Sequence, residues 1–258
     1  MLAVLLACAV AGSALRAQSE SPLFGVIGIT REVAPVEERL ESPAVTRVRG
    51  IVFTSGKIGN ARIVTVRSGA GKTNAAIAAT LLVERFMPSA VIFTGTAGAV
   101  DPALNPGDVV IGTGVGYHDF GSMDASGFVR SRPRNPATGQ ADPAFFAADP
   151  KLLSAALRAS RGMENQTVRE GLIVTGDAFV SSPTRRDELR KELKASAVEM
   201  EGAAVAQVGD HLGVPVIVIR SITDRADGGA SGSYQRFVDT ASRNAANLAI
   251  ATIQQFLK

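Results

Sequence analysis

The chain contains 258 residues, 46% of them hydrophobic, and its formal net charge is only +3. A chain of this length and apolar content can bury a substantial core within one large α/β domain. Its basic residues are scattered, and its aromatic content is 5% with no tryptophan, so it lacks the charged stripe and the stacking platform of a nucleic-acid-binding protein. We therefore expect no nucleic-acid partner.

The first 17 residues form an apolar run that is too short to span a membrane. An apolar core followed by small residues near Ala14 to Ala17 predicts a cleaved signal peptide over 1–17 and export to the periplasm or the medium. No Lys or Arg precedes the run, so a cytoplasmic protein is one alternative. A lipid anchor at Cys8 is another. Because Cys8 is the single cysteine, the predicted folded domain, 18–258, has neither a disulfide nor a thiolate nucleophile.

Hydrophobic patterning predicts that strands and helices alternate along this domain. The first strand covers 23–29, and the following Thr30-Arg-Glu32 begins a helix that runs through Leu40. The later predicted elements are, in order, a hairpin of strands 51–54 and 61–66, a helix 73–86, a strand 90–99, a strand from 109, a surface loop 121–148, a helix 149–160, a strand 168–175, a helix 185–194 capped by 181–184, a strand 214–219 and a helix 233–258.

One glycine-rich segment, Ser68-Gly-Ala-Gly-Lys-Thr73, invites comparison with the P-loop of nucleoside triphosphate-binding proteins. That motif requires a glycine five residues before Gly71, and the position is occupied by Val66. The sequence therefore excludes a P-loop. We expect the segment to open the helix that follows it.

The segment 197–227 carries the charges that are hardest to assign to a solvated surface. Its apolar run over 214–219 shows no alternation, which is typical of a strand buried on both faces. Ligands of open α/β sheets bind beyond the carboxyl ends of the strands, where Arg220 and Asp224 follow this run. Alternative interpretations are a loop cap for Asp224 and a solvated helix start, favoured by the helix dipole, for Glu199 and Glu201.

Three motifs in this part of the chain identify a family resemblance. They are V-T-G-D-A-F-V at 174–180, V-E-M-E-G-A-A at 198–204 and R-S-I-T-D at 220–224. Together they resemble the 5′-methylthioadenosine/S-adenosylhomocysteine nucleosidases of the nucleoside phosphorylase superfamily. The resemblance extends from about Leu23 to the end of the chain. It implies a single three-layer α/β domain whose central mixed, twisted sheet is flanked by helices.

The resemblance also implies the reaction, which is hydrolysis of a purine nucleoside to adenine and a 5-substituted ribose. Asp224 would protonate the purine at N7, and Glu32 would deprotonate the attacking water. Alternatively, Glu32 is only a charge in the first helical turn, since its spacing from Gly28 is one residue shorter than is usual in the family. The other implied roles are water placement by Thr96 and Arg220, ribose binding by Met200 and Glu201, base binding by Phe179 and the main chain of Val180, and 5′-group contact by Tyr234.

No metal or organic cofactor is implied by this chemistry. The two histidines, His118 and His211, have no ligand-spaced partner in the sequence, which disfavours a His-based metal site. Phosphorylases of the superfamily hold phosphate with an arginine near the end of the strand that here reads Val91-Ile-Phe-Thr94. Because that segment has no basic residue and a dianion needs a positive partner, we expect water as the acceptor.

Several alternatives remain open at this stage. The chain could be a phosphate-dependent phosphorylase, a nucleosidase for another compound such as a futalosine-like nucleoside, or a non-catalytic nucleoside-binding protein on the same fold. The family builds part of its pocket with a loop from a neighbouring subunit, which implies a homodimer. Tyr117-His118-Asp119 is then expected near the dimer interface and the pocket mouth.

Overall fold

The computed structural model describes residues 21–163 and 166–258. The predicted signal peptide and Cys8 lie outside these residues. The strands are β1 Leu23–Gly28, β2 Glu41–Val48, β3 Ile51–Ile58, β4 Ala61–Arg67, β5 Ala90–Ala99, β6 Val109–Tyr117, β7 Gly121–Asp124, β8 Gly127–Arg130, β9 Phe146–Ala147, β10 Val168–Thr175, β11 Ala195–Glu199 and β12 Val216–Asp224. The helices are α1 Thr30–Glu37, α2 Lys72–Phe86, α3 Pro150–Ser160, α4 Pro183–Leu193, α5 Gly202–Leu212 and α6 Ala230–Phe256.

A ten-stranded mixed sheet forms the middle layer, in the order β11-β10-β6-β12-β5-β1-β4-β3-β2, with β9 paired to β6. β11 also pairs antiparallel with β5, so β5, β12, β6, β10 and β11 close into a five-stranded ring. The small alanines of α2 and α5 pack on one face of the sheet, whereas α1, α3 and α6 cover the other face. The predicted three-layer α/β fold with a mixed central sheet is therefore confirmed.

β12 lies at the centre of this sheet, parallel to β5 and antiparallel to β6, and every one of its residues is buried. The prediction of a strand covered on both faces is confirmed, but the predicted end at Ile219 is wrong. The strand continues to Asp224 because Arg220 and Ser221 pair in register with Gly95 and Thr96 of β5. Polar residues do not end a strand when the neighbouring strands bury their side chains and pair with their backbone.

Three further differences from the predicted elements occur at the surface. The strand β2 was not predicted, because its exposed edge position leaves no apolar pattern. The predicted surface loop 121–148 contains the hairpin β7–β8 and the short β9. The last helix begins at Ala230, three residues before its predicted start. Within the described residues, none of the helices combines the length and hydropathy that a membrane span requires.

Candidate active site

A cavity of about 370 Å³ opens beside the carboxyl ends of β1, β5, β11 and β12. Seven of the predicted site residues line it, namely Glu32, Thr96, Phe179, Met200, Glu201, Asp224 and Tyr234. Arg220 is fully buried next to the cavity, within reach of Glu32 and Glu201. Val180 lines a small adjoining cavity that shares Phe179, Met200 and Asp224 with the main one. The structure thus brings all nine predicted residues to one place.

Glu32 enters this site from the first turn of α1, immediately after β1 ends. Its Oε1 accepts hydrogen bonds from the amide N–H of Thr96, at 2.8 Å, and from the Thr96 hydroxyl, at 2.7 Å. Its Oε2 lies 3.7 Å from Nη1 of Arg220 and accepts a weak bond from the Ile29 amide, at 3.3 Å. The side chain is therefore both a charge in the first helical turn and a group of the cavity wall.

Burial dominates the proton affinity of Glu32. It raises the pKa of this carboxyl, and the Arg220 charge and the Thr96 hydrogen bonds offset only part of that rise. A carboxylate with a raised pKa is a better proton acceptor than a free glutamate. A buried carboxylate of this kind in a cavity wall can accept a proton from a bound molecule.

Arg220 is completely buried and is surrounded by three carboxylates. Its Nη2 donates to Oε2 of Glu199 in a short hydrogen bond and lies 3.7 Å from Oε2 of Glu201. The guanidinium also lies over the ring of Phe93, 4.0 Å from the centroid, which is a cation–π arrangement. A Cβ atom at Gly95 would overlap Nη1, so this close approach requires glycine.

Glu199 organises the turn that presents Glu201. It ends β11, accepts a short hydrogen bond from the Thr175 hydroxyl, and accepts N–H groups of Glu201, at 3.1 Å, and Gly202, at 2.7 Å. Glu199 thus lies at a helix start, where its carboxylate accepts the first N–H groups of α5, but the interpretation of a solvated helix start is wrong because the side chain is buried. Sequence patterns assigned no separate role to Glu199, because its hydrogen bonds to Thr175 and Arg220 join residues that are distant in the chain.

Glu201 itself faces the cavity. Its Oε1 accepts the Gly71 N–H at 2.8 Å, across 130 positions of sequence. Burial and the neighbouring Glu199 carboxylate raise the pKa of Glu201 to about 7, against the lowering effects of Arg220 and of the Gly71 hydrogen bond. A carboxyl group with this pKa changes charge near neutral pH, so binding that depends on it will be pH-sensitive.

Asp224 ends β12 and faces the same cavity. Its Oδ2 accepts the Thr223 hydroxyl at 2.8 Å, and its Oδ1 accepts the Ala226 amide at 2.9 Å. The loop-cap interpretation therefore describes one of its oxygens. Burial nevertheless raises the pKa of Asp224, because these hydrogen bonds offset only part of the desolvation cost. Such a group keeps a proton to a higher pH than a free aspartate and can act as an acid.

Phe179 and Tyr234 form the mouth of the cavity. Phe179 is 47% exposed, and its ring meets that of Tyr234 edge-on with centroids 6.1 Å apart. An exposed aromatic ring at a cavity mouth offers a flat apolar face to a planar ligand. The cavity also contains residues that the sequence did not predict, among them Ile29, Ala70, Ala97, Gly98, Val198, Thr223, Ser231 and Gln235.

The histidines lie elsewhere. His118 is buried with its Nδ1 3.2 Å from Nη2 of Arg185, and His211 Nε2 is 3.0 Å from Oδ1 of Asp142. Among the described residues, Asp142, Asp210 and His211 are the one group whose ligand atoms are close enough for a metal ion, and none of them lines the cavity. Sequence spacing missed this group because Asp142 is 69 positions from His211.

Comparisons with known proteins identify the family of this chain. The model of the Phosphorylase superfamily matches residues 24–258. The 5′-methylthioadenosine/S-adenosylhomocysteine nucleosidase of Shewanella halifaxensis is 37% identical over 234 residues, which are 90% of this chain and 99% of that protein. That of Anoxybacillus flavithermus is 37% identical over 237 residues, covering 91% and 99%.

Solved structures give the same result. The Neisseria meningitidis 5′-methylthioadenosine/S-adenosylhomocysteine nucleosidase, in complex with methylthio-immucillin-A, superposes with a TM-score of 0.81 at 37% identity, over 91% of this chain and 99% of that one. The futalosine hydrolase of Helicobacter pylori superposes with a TM-score of 0.79 at 29% identity, over 90% and 97%. The matched family model and the extent of these identities show that this chain belongs to the 5′-methylthioadenosine/S-adenosylhomocysteine nucleosidase family of the phosphorylase superfamily.

Proposed function

We propose that this protein hydrolyses the N-glycosidic bond of 5′-methylthioadenosine, S-adenosylhomocysteine or a related purine nucleoside, releasing adenine and a 5-substituted ribose. The observation that carries the proposal is the placement of two buried carboxyl groups with raised pKa values, Glu32 and Asp224, in the wall of one cavity. Cleavage of this bond needs an acid for the base and a proton acceptor for water.

The leaving group is activated by Asp224. As the bond between C1′ and N9 breaks, its electron pair moves into the purine, and a proton from Asp224 to N7 makes the departing base neutral. Because burial raises the pKa of Asp224, a larger fraction of this group holds a proton when the substrate binds. The exposed face of Phe179 stacks on the purine, and the main chain of Val180 binds its edge.

The nucleophile is a water molecule that attacks C1′ while Glu32 takes its proton. Thr96 occupies one carboxylate oxygen of Glu32 through two hydrogen bonds, whereas Oε2, on the side of Arg220, accepts only the weak Ile29 bond and has a lone pair for the water proton. Arg220 and Thr96 thereby orient Glu32, the general base, and the attacking water. This division of work is that of an inverting glycosidase, in which acid and base act on opposite faces of the sugar.

Glu201 binds the ribose hydroxyl groups, Met200 packs on the sugar, and Tyr234 contacts the 5′ substituent. The carboxylates beside Arg220 also favour the positive charge that develops on the ribosyl group in the transition state. Among the described residues that line the cavity there is no lysine, arginine or histidine, and Arg220 is already paired with Glu199. A phosphate dianion therefore lacks a free cationic partner, which favours hydrolysis over phosphorolysis.

The first prediction concerns base release. We expect wild-type protein to release adenine from 5′-methylthioadenosine at the same rate with and without phosphate. Asp224→Asn should lower kcat by at least about 100-fold, because the amide cannot donate the proton. Adenosine and S-adenosylhomocysteine tested in parallel identify the preferred 5′ group. Inosine and futalosine, which carry hypoxanthine, test the preference for the base, since a futalosine hydrolase is among the similar structures.

Three results of that assay would contradict the proposal. Turnover that appears only with phosphate would make the protein a phosphorylase. Nucleoside binding without turnover would make it a binding protein. Unchanged kcat in Asp224→Asn would remove Asp224 from its role as the acid.

The second prediction concerns pH and stability. Since the pKa of Glu201 rises from 4.5 to about 7 on folding, the folded protein binds more protons than the unfolded chain between these values. The free energy of unfolding contributed by Glu201 therefore falls as the pH rises through this window. We expect urea titrations to show that the free energy of unfolding of Glu201→Gln, relative to that of wild type, is about 1–3 kcal/mol more favourable at about pH 8 than at about pH 5.

The exposed Glu84 of α2 provides the matched control. Glu84→Gln should keep the same stability difference from wild type at both pH values. Parallel curves for wild type and Glu201→Gln would show that Glu201 does not titrate in this window.

We also propose that the protein forms a homodimer. A second cavity of about 570 Å³ lies between α2 and α5, and Phe120 and the prolines Pro133 and Pro136 complete its wall. The hairpin β7–β8, which follows Phe120, carries further exposed apolar side chains, Met123, Phe128 and Val129. Light scattering should give the mass of two chains, and Met123→Glu with Phe128→Asp should lower it. A monomeric mass with full activity would contradict this proposal.

We also propose export, on the strength of the apolar run at 1–17. Expression of the full chain in a bacterial host, followed by fractionation and mass spectrometry, should give a periplasmic product that has lost its first residues. Retention of residues 1–17 in a cytoplasmic product would contradict a signal peptide. Detection of a lipidated N-terminal Cys8 would show that the protein is a lipoprotein and not a freely exported protein.

A further inference from the structure

Lys72, the lysine of the segment that resembles a P-loop, binds two carboxylates. Its Nζ lies 2.7 and 2.8 Å from the two oxygens of Asp119 and 3.5 Å from Oδ2 of Asp177. Three chain segments therefore meet at this ammonium group, namely the start of α2, the turn after β6 and the turn after β10. With two acids against one base, the cluster has no surplus positive charge for an anionic ligand.

Backbone groups join the same three segments. The Lys72 N–H donates to Oδ1 of Asp177 at 2.9 Å, and the Asp177 N–H donates to Oδ2 of Asp119 at 2.8 Å. Burial raises the pKa of Asp119, but the Lys72 hydrogen bond and the Asp177 amide together hold that pKa below its usual value. Asp119 is thus a carboxylate with both oxygens engaged, which fixes its geometry.

Two residues, Gly71 and Phe179, connect this cluster to the cavity. Gly71, the residue before Lys72, donates its N–H to Oε1 of Glu201, and its φ of +91° sets the direction of that bond. Phe179, at the cavity mouth, lies two residues after Asp177 on the same turn. A shift of α2 relative to the β10 turn would therefore move both the donor to Glu201 and the aromatic ring.

We propose that Lys72, Asp119 and Asp177 form a clamp that positions the Gly71 amide on Glu201 and the Phe179 ring over the cavity. The three are positioning residues for substrate binding and do not bind an anion. The inference rests on the proposed function, because it assigns Glu201 to the ribose and Phe179 to the base.

The clamp has a specific consequence for binding. Without it, the Gly71 N–H no longer holds the charged form of Glu201, so the pKa of Glu201 rises further and less of this group is ionised at neutral pH. The groups of the chemical step, Glu32 and Asp224, bind other partners and make no hydrogen bond or ion pair with Lys72, Asp119 or Asp177. Loss of the clamp should therefore weaken substrate binding more than it slows catalysis.

The test compares Lys72→Met and Asp119→Asn with Lys151→Met, an exposed lysine in the first turn of α3. Both clamp variants should raise KM for 5′-methylthioadenosine by about tenfold, as expected from loss of a charge-assisted hydrogen bond, with kcat within about threefold of wild type. The acidic limb of their kcat/KM profile should shift to higher pH. Lys72→Arg should restore part of the loss, and Lys151→Met should match wild type.

A normal thermal transition and an unchanged mass in solution show that each variant is folded and assembled. Equal KM values and pH profiles in wild type and in both folded clamp variants would overturn the proposal. So would calorimetric binding of inorganic phosphate to wild type that Lys72→Met abolishes, since Lys72 would then be an anion ligand. If wild type releases no base, the proposed function fails. In that case the clamp is tested by the calorimetric affinity for 5′-methylthioadenosine. Lys72→Met should lower this affinity about tenfold, and an unchanged affinity would overturn the proposal.

Discussion

The buried charge of Arg220 is the constraint on which the rest of the structure depends. A guanidinium with no solvent exposure must be paired, since removal of its partners from a buried pair costs about 3–5 kcal/mol. Glu199 provides the direct hydrogen bond, and Glu32 and Glu201 lie 3.7 Å away. These partners come from α1, from the end of β11 and from the turn before α5, so Arg220 ties all three to the centre of the sheet.

The same cluster gives the cavity its chemical character. Three carboxylates surround one cation, and this distribution favours positive charge. Burial raises the pKa values of Glu32 and Glu201, and the neighbouring carboxylates add to the rise for Glu201. An oxocarbenium-like ribosyl group is stabilised in such a field, whereas phosphate is not. Phe93 covers the guanidinium with its ring without adding charge. Hydrolysis by water follows from this distribution of charge.

Much of this arrangement could be predicted from the sequence, because its central elements have strong patterns. The continuous apolar run before Arg220 predicted the buried strand β12, and the family motifs predicted which side chains meet. The length of β12 could not be predicted, since only pairing with β5 and β6 shows that polar residues continue it. The roles of Glu199, Gly71 and Lys72 depend on hydrogen bonds that span 21 to 130 positions, for which local sequence has no signal.

The central claim is that the cavity prefers a cationic ribosyl group. The most direct measurement compares the affinities of two adenine nucleoside analogues with the same 5′-methylthio group, one with a protonated amine in the sugar ring and one with a neutral ring, by calorimetry at a fixed pH. The cationic analogue should bind at least about 100-fold more tightly, as expected for a mimic of the transition state. Equal affinities, or tighter binding of the neutral analogue, would contradict it.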